Sequence, residues 1–142
     1  MRGGILLSLF LLPLLSACEN TVGAYAIDGR NHSITLVREQ SFPFASQVEQ
    51  SIIAARFPQC QRRYSISPGK PGRVKIELWQ LQDRLFVARD GKTWYAISTE
   101  QCQVQKIAPT GDQPPGELVG TFRMRDRALV FEKPKEEQGG AQ

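Results

Sequence analysis

Leu85-Phe86-Val87-Ala88-Arg89-Asp90-Gly91-Lys92-Thr93-Trp94-Tyr95-Ala96-Ile97 is the stretch that decides the fold. Two β-prone runs, 85–89 and 92–97, flank Asp90-Gly91, and an Asp-Gly pair supplies the positive φ that a tight hairpin turn needs. Neighbouring side chains on a strand point to opposite faces, which predicts Trp94 and Tyr95 on opposite sides of the sheet.

The same grammar recurs on both sides of this hairpin. Residues 22–27 and 32–38 flank Asp28-Gly29-Arg30-Asn31 and predict a first hairpin. Residues 73–81 follow the breaker run Ser67-Pro68-Gly69-Lys70-Pro71-Gly72. They alternate Val74, Ile76 and Leu78 against Arg73, Lys75 and Glu77, the pattern of a half-buried strand. Beyond Pro114-Pro115-Gly116, residues 118–123 and 128–131 predict a closing hairpin around Met124-Arg125-Asp126-Arg127. The stretch 46–57 reads two ways: Val48, Ile52 and Ile53 share one helical face, whereas Ile53, Ala55 and Phe57 alternate. Strand is the preferred reading, with residues 61–66 returning as its partner after Phe57-Pro58-Gln59-Cys60; one short helix near 46–56 is the alternative. The expected fold is all-β, a single antiparallel domain over 22–132 built as a small sandwich or partly open barrel, followed by a disordered tail over 133–142.

Of the 142 residues, 41% are hydrophobic, 23% charged and 8% aromatic, which suits one folded domain and argues against wholesale disorder, collagen-like repeats or a disulfide-dense miniprotein.

Residues 1–17 place Arg2 ahead of an apolar run over 5–15, the layout of a secretory signal peptide. The run is too short for a spanning helix, which needs about 20 apolar residues. Leu15-Ser16-Ala17-Cys18 resembles the lipobox of bacterial lipoproteins, Leu-(Ala/Ser)-(Gly/Ala)-Cys, at every position. The resemblance implies a diacylglyceryl group on the Cys18 thiol, cleavage before Cys18 and fatty acylation, such as palmitate, of the new amino terminus. Two or more acyl chains hold stably where one binds reversibly. An ordinary secretory peptide cut after Ala17 is the alternative. In enteric lipoproteins an Asp directly after the Cys marks inner-membrane retention; Glu19 departs from that signal, so the expected location is the periplasmic face of the outer membrane. Past the lipobox the chain is similar in layout to small proteobacterial lipoproteins, and that similarity carries no functional residues. Residues 18–21 read as the lipidated Cys and a tether spanning about 10–15 Å, which would keep the domain against its membrane.

Removing 1–17 takes away Arg2 and no acid, leaving 17 basic and 14 acidic side chains, a formal +3. That weak excess, on an exported chain, excludes a nucleic-acid binder. With Cys18 lipidated, Cys60 and Cys102 are the pair left, and an exported pair is expected to form a disulfide.

Catalytic motifs are scarce. His32 is the sole His, and Ser33 beside it points to the other strand face. Neither Gly-x-Ser-x-Gly nor a phosphate loop occurs. Glu77, Asp83, Asp90 and Glu100 read as solvated-strand or turn carboxylates, although paired acids could do acid-base work. No metal site and no cofactor are expected. Trp79, Trp94 and Tyr95 are the candidate ligand aromatics, since flat rings stack on sugars or peptides. Arg56, Arg62 and Arg63 around Cys60, joined by Lys70 and Arg73, are the candidate contact for anionic head groups or an acidic partner. The reading that results is a non-enzymatic envelope lipoprotein, membrane-bound through Cys18, holding a disulfide-bonded β domain for contact with another envelope component. A small-ligand or glycan binder using exposed aromatics is the alternative.

Overall fold

The computed structural model describes residues 18–136; the expected signal peptide over 1–17 and residues 137–142 of the expected tail lie outside the described residues. Ten strands follow one another: β1 (Asn20–Asp28), β2 (His32–Glu39), β3 (Val48–Arg56), β4 (Cys60–Gly69), β5 (Lys75–Gln82), β6 (Leu85–Asp90), β7 (Thr93–Ser98), β8 (Gln103–Ile107), β9 (Glu117–Arg125) and β10 (Ala128–Glu132). The described residues contain no helix, so the protein is all-β and the helical alternative near 46–56 gives way to β3.

Strands β1 to β4 form a four-stranded antiparallel meander, and the other six form a sheet in the order β10-β9-β5-β6-β7-β8. The two sheets are not closed into a barrel. Cross-strand partners share a face, and the registers carry the core from strand to strand: Ile34 opposes Ala54, Leu36 opposes Ile52, Leu78 opposes Ala88, and Phe86 opposes Ile97. These side chains meet in one buried cluster with Ile76, Tyr95, Phe122 and Leu129. Tyr25 and Phe131 stack with ring centroids 4.7 Å apart, tying β1 to β10.

The two seams between the sheets are built differently. At the β1–β10 seam the strands approach so closely that a Cβ on Gly23 would lie 2.9 Å from Leu129 Cγ and 3.1 Å from the Leu129 carbonyl oxygen, so a larger residue there would have to displace Leu129. At the seam between β4 and the far edge of the large sheet, side chains make the connection. Cys60 and Cys102 form the expected disulfide, with Cα atoms 5.9 Å apart. The Tyr95 hydroxyl accepts from the Ser67 N–H and donates to the Ser67 Oγ, each at 2.9 Å.

Strand β8 was not foreseen, because Gln103-Val104-Gln105-Lys106-Ile107 offers an edge strand only two apolar residues. From β8 the chain must cross β7, β6 and β5 to reach β9, and residues 108–116 do so over the outer face. Arg89 Nη1 donates to the Asp112 carbonyl at 2.8 Å, and Pro114 of this strap is fully buried. The domain also starts earlier than its expected boundary at residue 22, since β1 opens at Asn20.

Candidate functional site

The alternation Ile34-x-Leu36-x-Arg38 along β2 puts a guanidinium on the core face, where Arg38 is fully buried at one end of the sandwich. An unpaired charge there would be costly, and every edge of the planar fork is engaged. Nε donates to Gln50 Oε1 at 3.0 Å, Nη2 donates to the carbonyls of Lys70 at 2.6 Å and Arg73 at 3.0 Å, and Nη1 pairs with the Glu19 carboxylate. The second Glu19 oxygen accepts from the Gly72 N–H at 2.6 Å. Burial pushes the Arg38 guanidinium down from its ordinary value, and Glu19 and then Asp90 push it back up.

Gln50 extends the cluster, its Nε2 donating to the Ser67 carbonyl at 2.8 Å and, at 3.5 Å, to Asp90 Oδ2. Asp90, expected as a solvated turn residue, stands opposite Ile76 and Thr93 and therefore points inward. Burial raises its carboxyl above the usual carboxylate range, against the opposing pull of Gln50 and Arg38.

Gln40 completes this end. Its backbone N–H donates to the Glu19 carbonyl at 2.8 Å, and its side-chain Oε1 accepts from the Glu19 N–H at 2.9 Å. Its Nε2 donates to the carbonyls of Ala45 at 3.0 Å and Pro43 at 3.4 Å. Glu19, within the expected short tether over 18–21, is thus held by backbone and side chain, and β1 takes in Asn20 and Thr21. Cys18 is exposed, has a free thiol, and borders a shallow depression with Thr21, Gln40, Gly72, Met124 and Arg127. Sequence reasoning missed Glu19, Arg38, Gln40 and Gln50. A charged residue at a core position of an alternating strand was the signal that marked Arg38.

The expected arginine patch is not one patch. Arg56 donates to the Thr99 carbonyl at 3.0 Å and the Glu100 carbonyl at 2.7 Å, beside the disulfide. Arg62 and Arg63 stand opposite Ala54 and Ile53 and so occupy opposite faces of β4, with Arg63 paired to Glu39 at 2.8 Å. Lys70 and Arg73 lie beyond the other end of β4, about 30 Å of strand from Cys60. The disulfide and Arg56 therefore sit at the end of the domain opposite Cys18.

None of the candidate aromatics presents its ring to solvent. Trp79 and Trp94 point to the outer face of the large sheet and are buried there, on the side that the strap crosses. The Arg89 guanidinium lies 5.8 Å from the Trp79 ring centre, and the Trp79 Nε1 is buried without a hydrogen-bond partner. Tyr95 faces the core, opposite in orientation to Trp94 as expected.

His32 is half-buried at the distal end, its Nε2 2.7 Å from Thr99 Oγ1. Burial, then Arg84 and Arg56, hold its imidazole below the ordinary value. Glu77 pairs with Arg89, and Glu100 pairs with Arg84. Among the described residues no group of three or more His, Cys, Asp or Glu could hold a metal ion, and no helix is long and apolar enough to cross a membrane. Comparison with protein-family models, with curated proteins and with solved structures gave no match for this chain.

Proposed function

We propose that the protein is an envelope lipoprotein, anchored through lipid on Cys18, that holds its β domain against the membrane for non-enzymatic contact with another envelope component. The outer-membrane periplasmic face is its proposed location. One observation carries the reading beyond the lipobox: the residue after Cys18 is locked into the fold by the ion pair of Glu19 with the buried Arg38. A lipid attachment point coupled directly to the core transmits the position of the membrane to the whole domain. A loose linker would not.

The test is metabolic labelling with an alkyne fatty acid, comparing wild type with Cys18→Ser. Label in the wild type and none in the variant, which then accumulates as precursor or soluble protein, supports the proposal. Equal labelling of both, or an unmodified Cys18 thiol in the mature wild type, overturns it.

A further inference from the structure

We infer that the end of the domain carrying Cys18 is a bilayer-docking face, in which Phe42 and Phe44 enter the membrane interface while Lys70, Arg73 and Arg127 meet anionic head groups. This inference rests on the lipid-anchor reading and adds an orientation to it.

Phe42 and Phe44 are 58% and 84% exposed, although Phe is a residue that folding normally buries. They are presented by a built loop. The Ala45 N–H donates to the Phe42 carbonyl at 3.1 Å, closing the turn, and Gln40 Nε2 binds the carbonyls of Pro43 and Ala45 from within. The same Gln40 holds both backbone polar groups of Glu19. The Phe-Pro-Phe tip and the residue after Cys18 therefore move as one unit.

That coupling decides the occupant. With Glu19 fixed, a lipid on Cys18 brings the membrane surface to within about one residue length of the fold, roughly 3.5 Å of backbone. The face beside Cys18 is then the face against the bilayer. Its chemistry suits an interface: aromatic rings favour the boundary between head groups and acyl chains, and cations beside them are drawn to anionic lipid. Lys70, Arg73 and Arg127 are exposed and, among the described residues, enter no ion pair. The hydrogen bonds from Arg38 to the carbonyls of Lys70 and Arg73 hold the turn that carries two of them. Of the acids at this end, Glu39 and Glu49 oppose one another in the β2–β3 register on the outer face of the small sheet, where Glu49 borders a depression with Phe42, and Asp126 adjoins Arg127 in the β9–β10 turn, while the turn that carries Lys70 and Arg73 contains none.

The experiment uses mature protein isolated from membranes and reconstituted into vesicles of phosphatidylethanolamine and phosphatidylglycerol that carry a diazirine on the lipid. Irradiation and peptide mapping should place lipid adducts on residues 42–44 and around Lys70, Arg73 and Arg127. Residues 57–63, at the opposite end, should carry none. The Phe42→Ser, Phe44→Ser double variant alters only exposed side chains, so it should keep its melting temperature and lose adducts at Lys70, Arg73 and Arg127 roughly tenfold. The mass of the peptide beginning at Cys18, read in the same sample, separates the two readings. Lipid on Cys18 without adducts on 42–44, or with equal adducts on 57–63, overturns the docking face and leaves the anchor. Adducts on 42–44 with an unmodified Cys18 thiol support the docking face and overturn the anchor. A photoreactive Phe analogue at positions 42 and 44 in intact cells that crosslinks to protein and not to lipid overturns the docking face.

Discussion

Glu19 and Arg38 form a buried ion pair between the residue before β1 and the core face of β2. Glu19 precedes β1 by a single residue, so the pair locks the start of the domain to its interior. Removing one member of such a pair leaves an uncompensated buried charge, whereas removing both does not. Glu19→Gln is expected to lower stability by about 3–5 kcal/mol, and Glu19→Gln combined with Arg38→Met by clearly less than the sum of the two single changes. Urea denaturation of the four proteins checks this, and additive losses would contradict the pairing.

Asp90 sits behind that pair without a cation of its own, because Arg38 is already neutralised by Glu19. Its raised pKa means that the unfolded chain gives up this proton first as pH rises, while the folded protein still holds it. Stability contributed by the protonated form is present below the ordinary carboxylate value and is lost as pH rises through the folded value. Asp90→Asn, whose amide oxygen still accepts from Gln50, is expected to flatten this decline. Melting temperatures of both proteins between pH 3 and pH 7 measure it. Parallel curves would refute the burial of this carboxyl.

The strap over the outer face depends on Gly116, whose φ of +98° few other residues adopt. A Cβ there would stand 2.1 Å from the Gln80 carbonyl oxygen. Gly116→Ala should destabilise the protein by about 2 kcal/mol or more. Because Trp79 and Trp94 lie on the face the strap crosses, their fluorescence should shift to the red in the variant even where the fold persists. An unshifted spectrum at unchanged stability would argue against the strap as their cover.

The disulfide spans a sequence separation of 42 residues and fastens the seam that lacks the close backbone contact of the other. Loop entropy gives it about 4 kcal/mol. Cys60→Ala with Cys102→Ala should therefore lower the melting temperature strongly. Since Arg56 also grips the carbonyls of Thr99 and Glu100, the variant should fold at low temperature. A melting temperature within a degree or two of wild type would mean that the seam is held by other contacts.

The sequence by itself determined most of the strands and their hairpins, β8 excepted and β3 only as the preferred of two readings, because turn chemistry and alternation are local properties written within a few residues of one another. Asp28-Gly29 and Asp90-Gly91 marked two turns, and Ile76 and Leu78 marked an inward face. The Cys60–Cys102 pairing followed once the lipobox resemblance set Cys18 aside and left one pair of thiols. Residue identity along a strand also placed Trp94 and Tyr95 on opposite faces, but not the burial of both, since the cover over Trp94 is a strap from a distant part of the chain. Adjacency in sequence misgrouped Arg62 with Arg63, and both with Lys70 and Arg73, because a ten-residue strand separates its ends by about 30 Å and its neighbours by a face. Only the tertiary structure brought Glu19, Arg38, Gln50 and Asp90 together, since each lies on a different strand or its flank and the cluster exists where the ends of both sheets meet. A buried charge is tolerated only where partners converge on it, and that convergence is a property of the packed sheets rather than of any one segment.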